Sequence, residues 1–120
     1  MVQNSVDIGK PIITVAVNYR TMGFGLLASK EIVAADAANI ALYDQRLALR
    51  WIHENIAAFG GDPSKVTIWG ESAGGSSVGY HLTAFNGKND GLFRAALIES
   101  GIYLGLSSMV PLVFLDITLH

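Results

Sequence analysis

The sequence predicts an α/β protein: parallel strands joined by crossover helices, with a sharp turn where one strand meets a helix. Three observations carry this. Residues 12–17 and 66–69 are short apolar runs rich in β-branched residues, as strands of a covered parallel sheet require. Between them, Leu42, Leu49, Ile52, Ile56 and Phe59 fall on one stripe of a 3.6-residue period. After the second run, Gly70-Glu71-Ser72-Ala73-Gly74 fits G-x-S-x-G and opens into a small-residue helix.

The chain has 120 residues, of which 51% are hydrophobic and 15% charged, enough for one core-rich domain and too apolar for disorder. A net charge of −2 offers no basic patch, which argues against nucleic-acid binding. No cysteine is present, so disulfides and thiolate metal sites are excluded. Residues 1–10 are polar and include Asp7, unlike a signal peptide.

Taken in order, residues 12–17 are apolar toward both faces, which suits a central strand. Residues 21–40 lack a sustained period and read as loop with at most a short helical turn. The helix at 42–59 carries Leu47, Ala48 and Trp51 beside its stripe, so a broad face is expected to be buried against the sheet. Asp44 near its start suits the positive end of the helix dipole. Gly60-Gly61 ends it, with glycine in the left-handed C′ role. Asp62-Pro63 reads as an N-cap with proline at N1.

Residues 66–69 form the second strand and residues 75–84 the helix after the turn. Residues 86–91 are a polar turn, and residues 95–98 a third strand ending at Glu99-Ser100-Gly101. Three strands and two helices make two right-handed crossovers. The tail from 102 to 120 is apolar, has no Lys or Arg, and contains Pro111 and Asp116, which argue against a membrane span.

A serine on a strand-to-helix turn is the arrangement of a nucleophile elbow. The residues two before and two after it, Gly70 and Gly74, must be nearly without side chains. Ser72 is thus the candidate nucleophile, and the backbone N–H of Ala73 the candidate oxyanion donor. The base is harder to find. His81 lies about half a turn out of phase with Ser72 and roughly 13 Å along the helix, His53 sits beside the apolar stripe, and His120 is terminal. Asp44 and Asp62 read as caps, Asp36, Asp90 and Asp116 lie in loops or the tail, and Glu99 has no identifiable partner. Dinucleotide binding fails because Glu71-Ser72 stands where G-x-G-x-x-G needs glycine. No ligand spacing suggests a metal, and no cofactor is indicated.

The chain resembles the type-B carboxylesterase/lipase family of the α/β-hydrolase fold. The resemblance rests on Asn18-Tyr19-Arg20, Gly23-Phe24-Gly25, the run from Tyr43 to Trp51, that from Asn55 to Pro63, Val66 to Gly75, and Glu99-Ser100-Gly101. It spans residues 1–101 and implies the central part of such a domain, a partial α/β-hydrolase fold. By the same resemblance Ser72 would be the acylated nucleophile, Ala73 an oxyanion donor, and Glu71 part of the hydrogen-bond surroundings of the triad. Carboxylic esters, from small esters to acylglycerols, would be the substrates. Many members of the family are secreted.

The family's His-Gly-Gly-Gly oxyanion segment would precede residue 1, and its acid and histidine would follow beyond residue 120. The chain is therefore expected to be inactive alone. The tail at 102–120 matches nothing in the family and reads as unrelated sequence, for instance a translated intron or an out-of-frame extension. The alternative function is a non-catalytic binding or adhesion module of the same fold, though such modules usually lose the serine that Ser72 retains.

Overall fold

The computed structural model describes residues 1–101. The predicted tail at 102–120, and His120 within it, lie outside the described residues. Three short helices, α1 (Val2–Asp7), α2 (Met22–Leu26) and α3 (Lys30–Ala34), precede the long α4 (Ile40–Asn55). Then come β1 (Thr67–Glu71), α5 (Ala73–Thr83) and β2 (Ala95–Glu99). β1 and β2 pair in parallel, Thr67 opposite Ala95 and Glu71 opposite Glu99. The α/β class, with parallel strands joined by a helix, is therefore present.

Residues 12–17 do not form the predicted strand. A strand is defined by its ladder, and the described sheet contains β1 and β2 alone. Ile12, Ile13 and Val15 stay 44–48% exposed. Polar contacts tie its two ends, and in between the Ile13 side chain lies beside Gly61. The Ile12 N–H donates to Ser5 Oγ at 3.1 Å, and Arg20 grips Asp44 of α4. Residues 21–40 hold two short helices rather than one turn, and Ser29 caps α3 by accepting the Ile32 N–H at 3.2 Å. The described chain thus contains one β-α-β unit where two crossovers were predicted.

α4 starts two residues before its predicted position and passes into a 3₁₀ turn at Ile56–Phe59. Gly60 ends that turn at φ 83°, the predicted left-handed C′ role. Asp62 caps Pro63–Lys65 by accepting the Ser64 N–H at 2.9 Å. The Ser64 hydroxyl, Lys65 and that N–H hold the Asp62 pKa down at about 2. Leu42, Leu49, Ile52 and Ile56 are buried as the stripe predicts.

Phe59, Leu47 and Trp51 are not buried; their exposures are 65%, 65% and 50%. They point away from β1 and α5, and Trp51 packs on Phe59 at 6.2 Å between ring centroids. The core instead joins Leu49 of α4, Ile68 of β1, Val78 of α5, and Leu92 and Phe93 before β2. The opposite face of the sheet is open at Trp69 and Leu97.

Arg46 completes the stripe, one turn after Leu42 and one before Leu49, although it is charged. Its guanidinium is buried, bonds Asp90 at 2.5 Å and the Lys88 carbonyl at 3.0 Å, and lies 4.4 Å over the Phe85 ring. Phe85 and Asn86 both carry positive φ, 55° and 58°. These contacts pin that strained turn onto α4. Removing Asp90 would leave a buried cation unpaired, whereas the Asp62–Lys65 pair is exposed on both sides. Asp90→Ala should therefore lower the urea midpoint of the chain clearly, and Asp62→Ala much less, in paired equilibrium unfolding curves.

Candidate active site

The site is built at the joint between β1 and α5. β1 ends at Glu71 and α5 begins at Ala73, so Ser72 alone turns the chain. It does so at φ 53°, ψ −116°, where a non-glycine residue costs on the order of 1–3 kcal/mol. Two hydrogen bonds hold it there. The Ser72 N–H donates to the Glu99 carbonyl at 2.9 Å, extending the sheet ladder by one step, and its own carbonyl accepts the Ser76 N–H at 3.0 Å. The Ser72 hydroxyl makes no hydrogen bond to a described residue, and the residue is exposed at the tip of the turn.

The predicted need for glycine holds at Gly70. A Cβ there would run into the backbone of Gly74 and stand 2.7 Å from the Gly75 nitrogen. It does not hold at Gly74, where a Cβ would meet nothing within 4 Å among the described residues. The second tight approach lies one residue on, between Gly75 and Gly101. A Cβ on Gly75 would lie 2.9 Å from the Glu99 carbonyl, and one on Gly101 2.8 Å from the Ser76 nitrogen. Sequence reasoning missed this because the two glycines meet only when β2 lies beside β1.

The start of α5 is the polar half of the site. The first N–H groups of a helix have no intrahelical acceptor, and here those groups belong to Ala73, Gly74 and Gly75. They lie at the positive end of the helix dipole, where negative charge is favoured. Glu71 and Glu99 face each other across the two strands beside this turn. Neither carboxylate makes a hydrogen bond or ion pair with a described residue.

Neither described histidine serves Ser72. His53 lies exposed on α4, beside the apolar stripe as expected. His81 is buried in α5, 5% exposed, with Nε2 2.9 Å from Gln45 Oε1. Burial, aided by Arg46, pushes its pKa down to about 4. The neutral form is thus the folded form. Stability contributed by neutral His81 is present above its unfolded pKa of about 6.5 and is lost as pH falls toward 4. The loss amounts to about 3 kcal/mol. Urea titrations at a series of pH values should show this slope, and His81→Gln should flatten it.

Asp44 is not a cap, because it stands past the first turn of α4. Its carboxylate receives Arg20 Nε at 2.8 Å, Nη2 at 2.6 Å and the Arg20 N–H at 3.0 Å. These bonds bring its pKa to about 2. This clamp borders an open groove of about 510 Å³, lined by Asn18, Tyr19, Arg20, Asp44, Leu47, Ala48 and Trp51. Ser72 and its neighbours are not part of it. Among the described residues, no group of three or more His, Asp or Glu could hold a metal ion, and no helix is long and apolar enough to cross a membrane.

The sequence profile of the Carboxylesterase family matches residues 4–111. Secreted lipase 1 of Botryotinia fuckeliana is 55% identical over 104 residues, covering 83% of this chain and 18% of that protein. Lipase 5 of Diutina rugosa is 55% identical over 115 residues, 92% of this chain and 20% of that protein. Secreted triacylglycerol lipase LIP1 of Gibberella zeae is 47% identical over 105 residues, 84% of this chain and 18% of that protein. The chain therefore spans about a fifth of the length of these relatives.

Proposed function

Because this chain belongs to the carboxylesterase family, we propose that it carries the nucleophile elbow of a serine hydrolase acting on carboxylic esters. The names of the relatives, lipases and a triacylglycerol lipase among them, favour acylglycerol-like esters. The two parallel strands and their helix would be a part of an α/β-hydrolase sheet. The observation that carries the reading is the backbone of Ser72, a non-glycine residue held at positive φ where β1 meets α5. Strain of this kind at a hydroxyl residue presents the nucleophile at the end of a sheet.

In the reaction, Ser72 Oγ attacks the ester carbonyl carbon while its proton passes to a histidine. The tetrahedral oxyanion accepts the Ala73 N–H, a donor whose loss can cost about 3 kcal/mol of transition-state stabilisation. Collapse expels the alcohol and leaves an acyl group on Ser72, which water then removes. The histidine and its acid would come from outside the described residues, since His81 is bonded to Gln45 and no contact joins His53 of α4 to Ser72 among the described residues. Glu71 would act in the hydrogen-bond surroundings of that histidine.

A segment exchange tests this. Residues 4–101 replace the matching segment of Lipase 5 of Diutina rugosa, and hydrolysis of a short-chain acylglycerol is measured. The hybrid should hydrolyse it, while the 120-residue chain alone should show no turnover above its own Ser72→Ala variant. A folded hybrid without hydrolysis would overturn the proposal.

A further inference from the structure

We propose that Gln45 is a positioning residue for the turn that bears Ser72 and Ala73, acting through a one-way hydrogen-bond chain from His81 to the Ala73 carbonyl. The inference rests on the reading of Ser72 as nucleophile for its functional meaning, though the chain itself stands on geometry alone.

The direction follows from the far end. The Ala73 carbonyl can only accept, so Ser77 Oγ donates to it at 3.0 Å. That uses the single Ser77 hydroxyl proton. Toward Gln45, Ser77 must then accept, and Gln45 Nε2 donates to it at 3.2 Å. The amide is thereby oriented with Oε1 toward His81, so His81 Nε2 must carry a proton and donate at 2.9 Å. Reversing the Gln45 amide would require Ser77 to donate twice. The chain therefore fixes one amide orientation and one imidazole tautomer, Nε2–H. Burial and the neighbouring Arg46 disfavour a second proton on that ring.

The spacing gives the chain its effect. Ala73, Ser77 and His81 stand at four-residue steps along one face of α5. Gln45 belongs to α4 and bonds the last two. Rotating or sliding α5 against α4 by a fraction of a turn would break both Gln45 bonds together. The first turn of α5, and with it the direction of the Ala73 N–H, is thus registered on α4 rather than on the sheet alone.

The test uses the 120-residue chain and NMR. In the unmodified chain, imidazole ¹⁵N shifts should show His81 neutral and protonated at Nε2. Hydrogen exchange is then compared at the Ser76 amide, which bonds Ser72, and at the amides of β2. Gln45→Leu should speed exchange at Ser76 about tenfold and leave β2 unchanged. Ser77→Ala should do the same, and Ser77→Thr, which keeps the hydroxyl, should restore protection. A proton on Nδ1 in the unmodified chain overturns the proposal even if a variant fails to fold. So does acceleration at Ser76 no greater than in β2. Failure of hydrolysis in the hybrid would remove the catalytic meaning of Ser72 while leaving these readouts intact.

Discussion

Ser72→Ala in the active hybrid should lower acylglycerol hydrolysis by about 10⁴-fold or more, with the protein still folded. The size follows from the role. Removing the nucleophile removes the covalent path, and what remains is the binding and oxyanion stabilisation that a water molecule could use. The substitution is mild for the fold, because Ser72 is exposed and its hydroxyl bonds no described residue, while both hydrogen bonds at that position are made by backbone. Alanine does inherit the positive φ. Serine bears the same strain, so the melting temperature should change little. A large loss of rate at unchanged stability separates a chemical role from a structural one.

Gly70→Ala should have the largest effect on stability of any single-methyl change near the elbow. The added Cβ would meet only backbone, that of Gly74 and the Gly75 nitrogen. No flexible side chain is present to move aside, so relief requires the first turn of α5 to shift. Overpacking against movable groups costs about 1–3 kcal/mol, and here the cost should be about 3 kcal/mol or more. Gly74→Ala is the matched control in the 120-residue chain. Its Cβ would meet no described residue within 4 Å in the first turn of a helix, and alanine there is expected to be neutral or stabilising by up to about 1 kcal/mol. Urea unfolding of the two variants should therefore differ in sign or nearly so. Equal destabilisation would show that the close approach at Gly70 is not the constraint.

The contrast between Gly70 and Gly74 marks how far the sequence could be read. The pattern G-x-S-x-G located the turn and its serine, because a strand, a sharp turn and a helix leave local signatures. It could not say which glycine bears the contact, since that depends on how α5 leans on β1. The Gly75–Gly101 approach was invisible for a related reason: it joins residues that meet only through strand pairing.

Elsewhere, apolar periodicity placed α4 and buried Leu42, Leu49, Ile52 and Ile56 correctly. It also assigned burial to Leu47, Trp51 and Phe59, which face away from the described core. Periodicity identifies a stripe but not how wide a face the neighbouring elements cover. The run at 12–17 has strand composition, yet strand structure needs a partner edge, and composition does not supply one. Polar residues were read least well. Arg46, to which the apolar periodicity assigned no role, completes the stripe and pairs with Asp90. Asp44 looked like a cap and is the receptor for Arg20, because long-range ion pairs leave no local spacing to read. The gap at position 46, between Leu42 and Leu49, was the one signal that could have revealed the buried arginine.

The central claim, that Ser72 is the activated nucleophile of an esterase, is tested most directly by covalent capture. The hybrid is treated with a fluorophosphonate, digested, and the modified residue located by mass spectrometry. The account predicts one stoichiometric phosphonyl adduct, on Ser72, formed with loss of hydrolysis and absent from the Ser72→Ala hybrid. A hybrid that hydrolyses esters yet carries its adduct on another serine, or none at all, would contradict it.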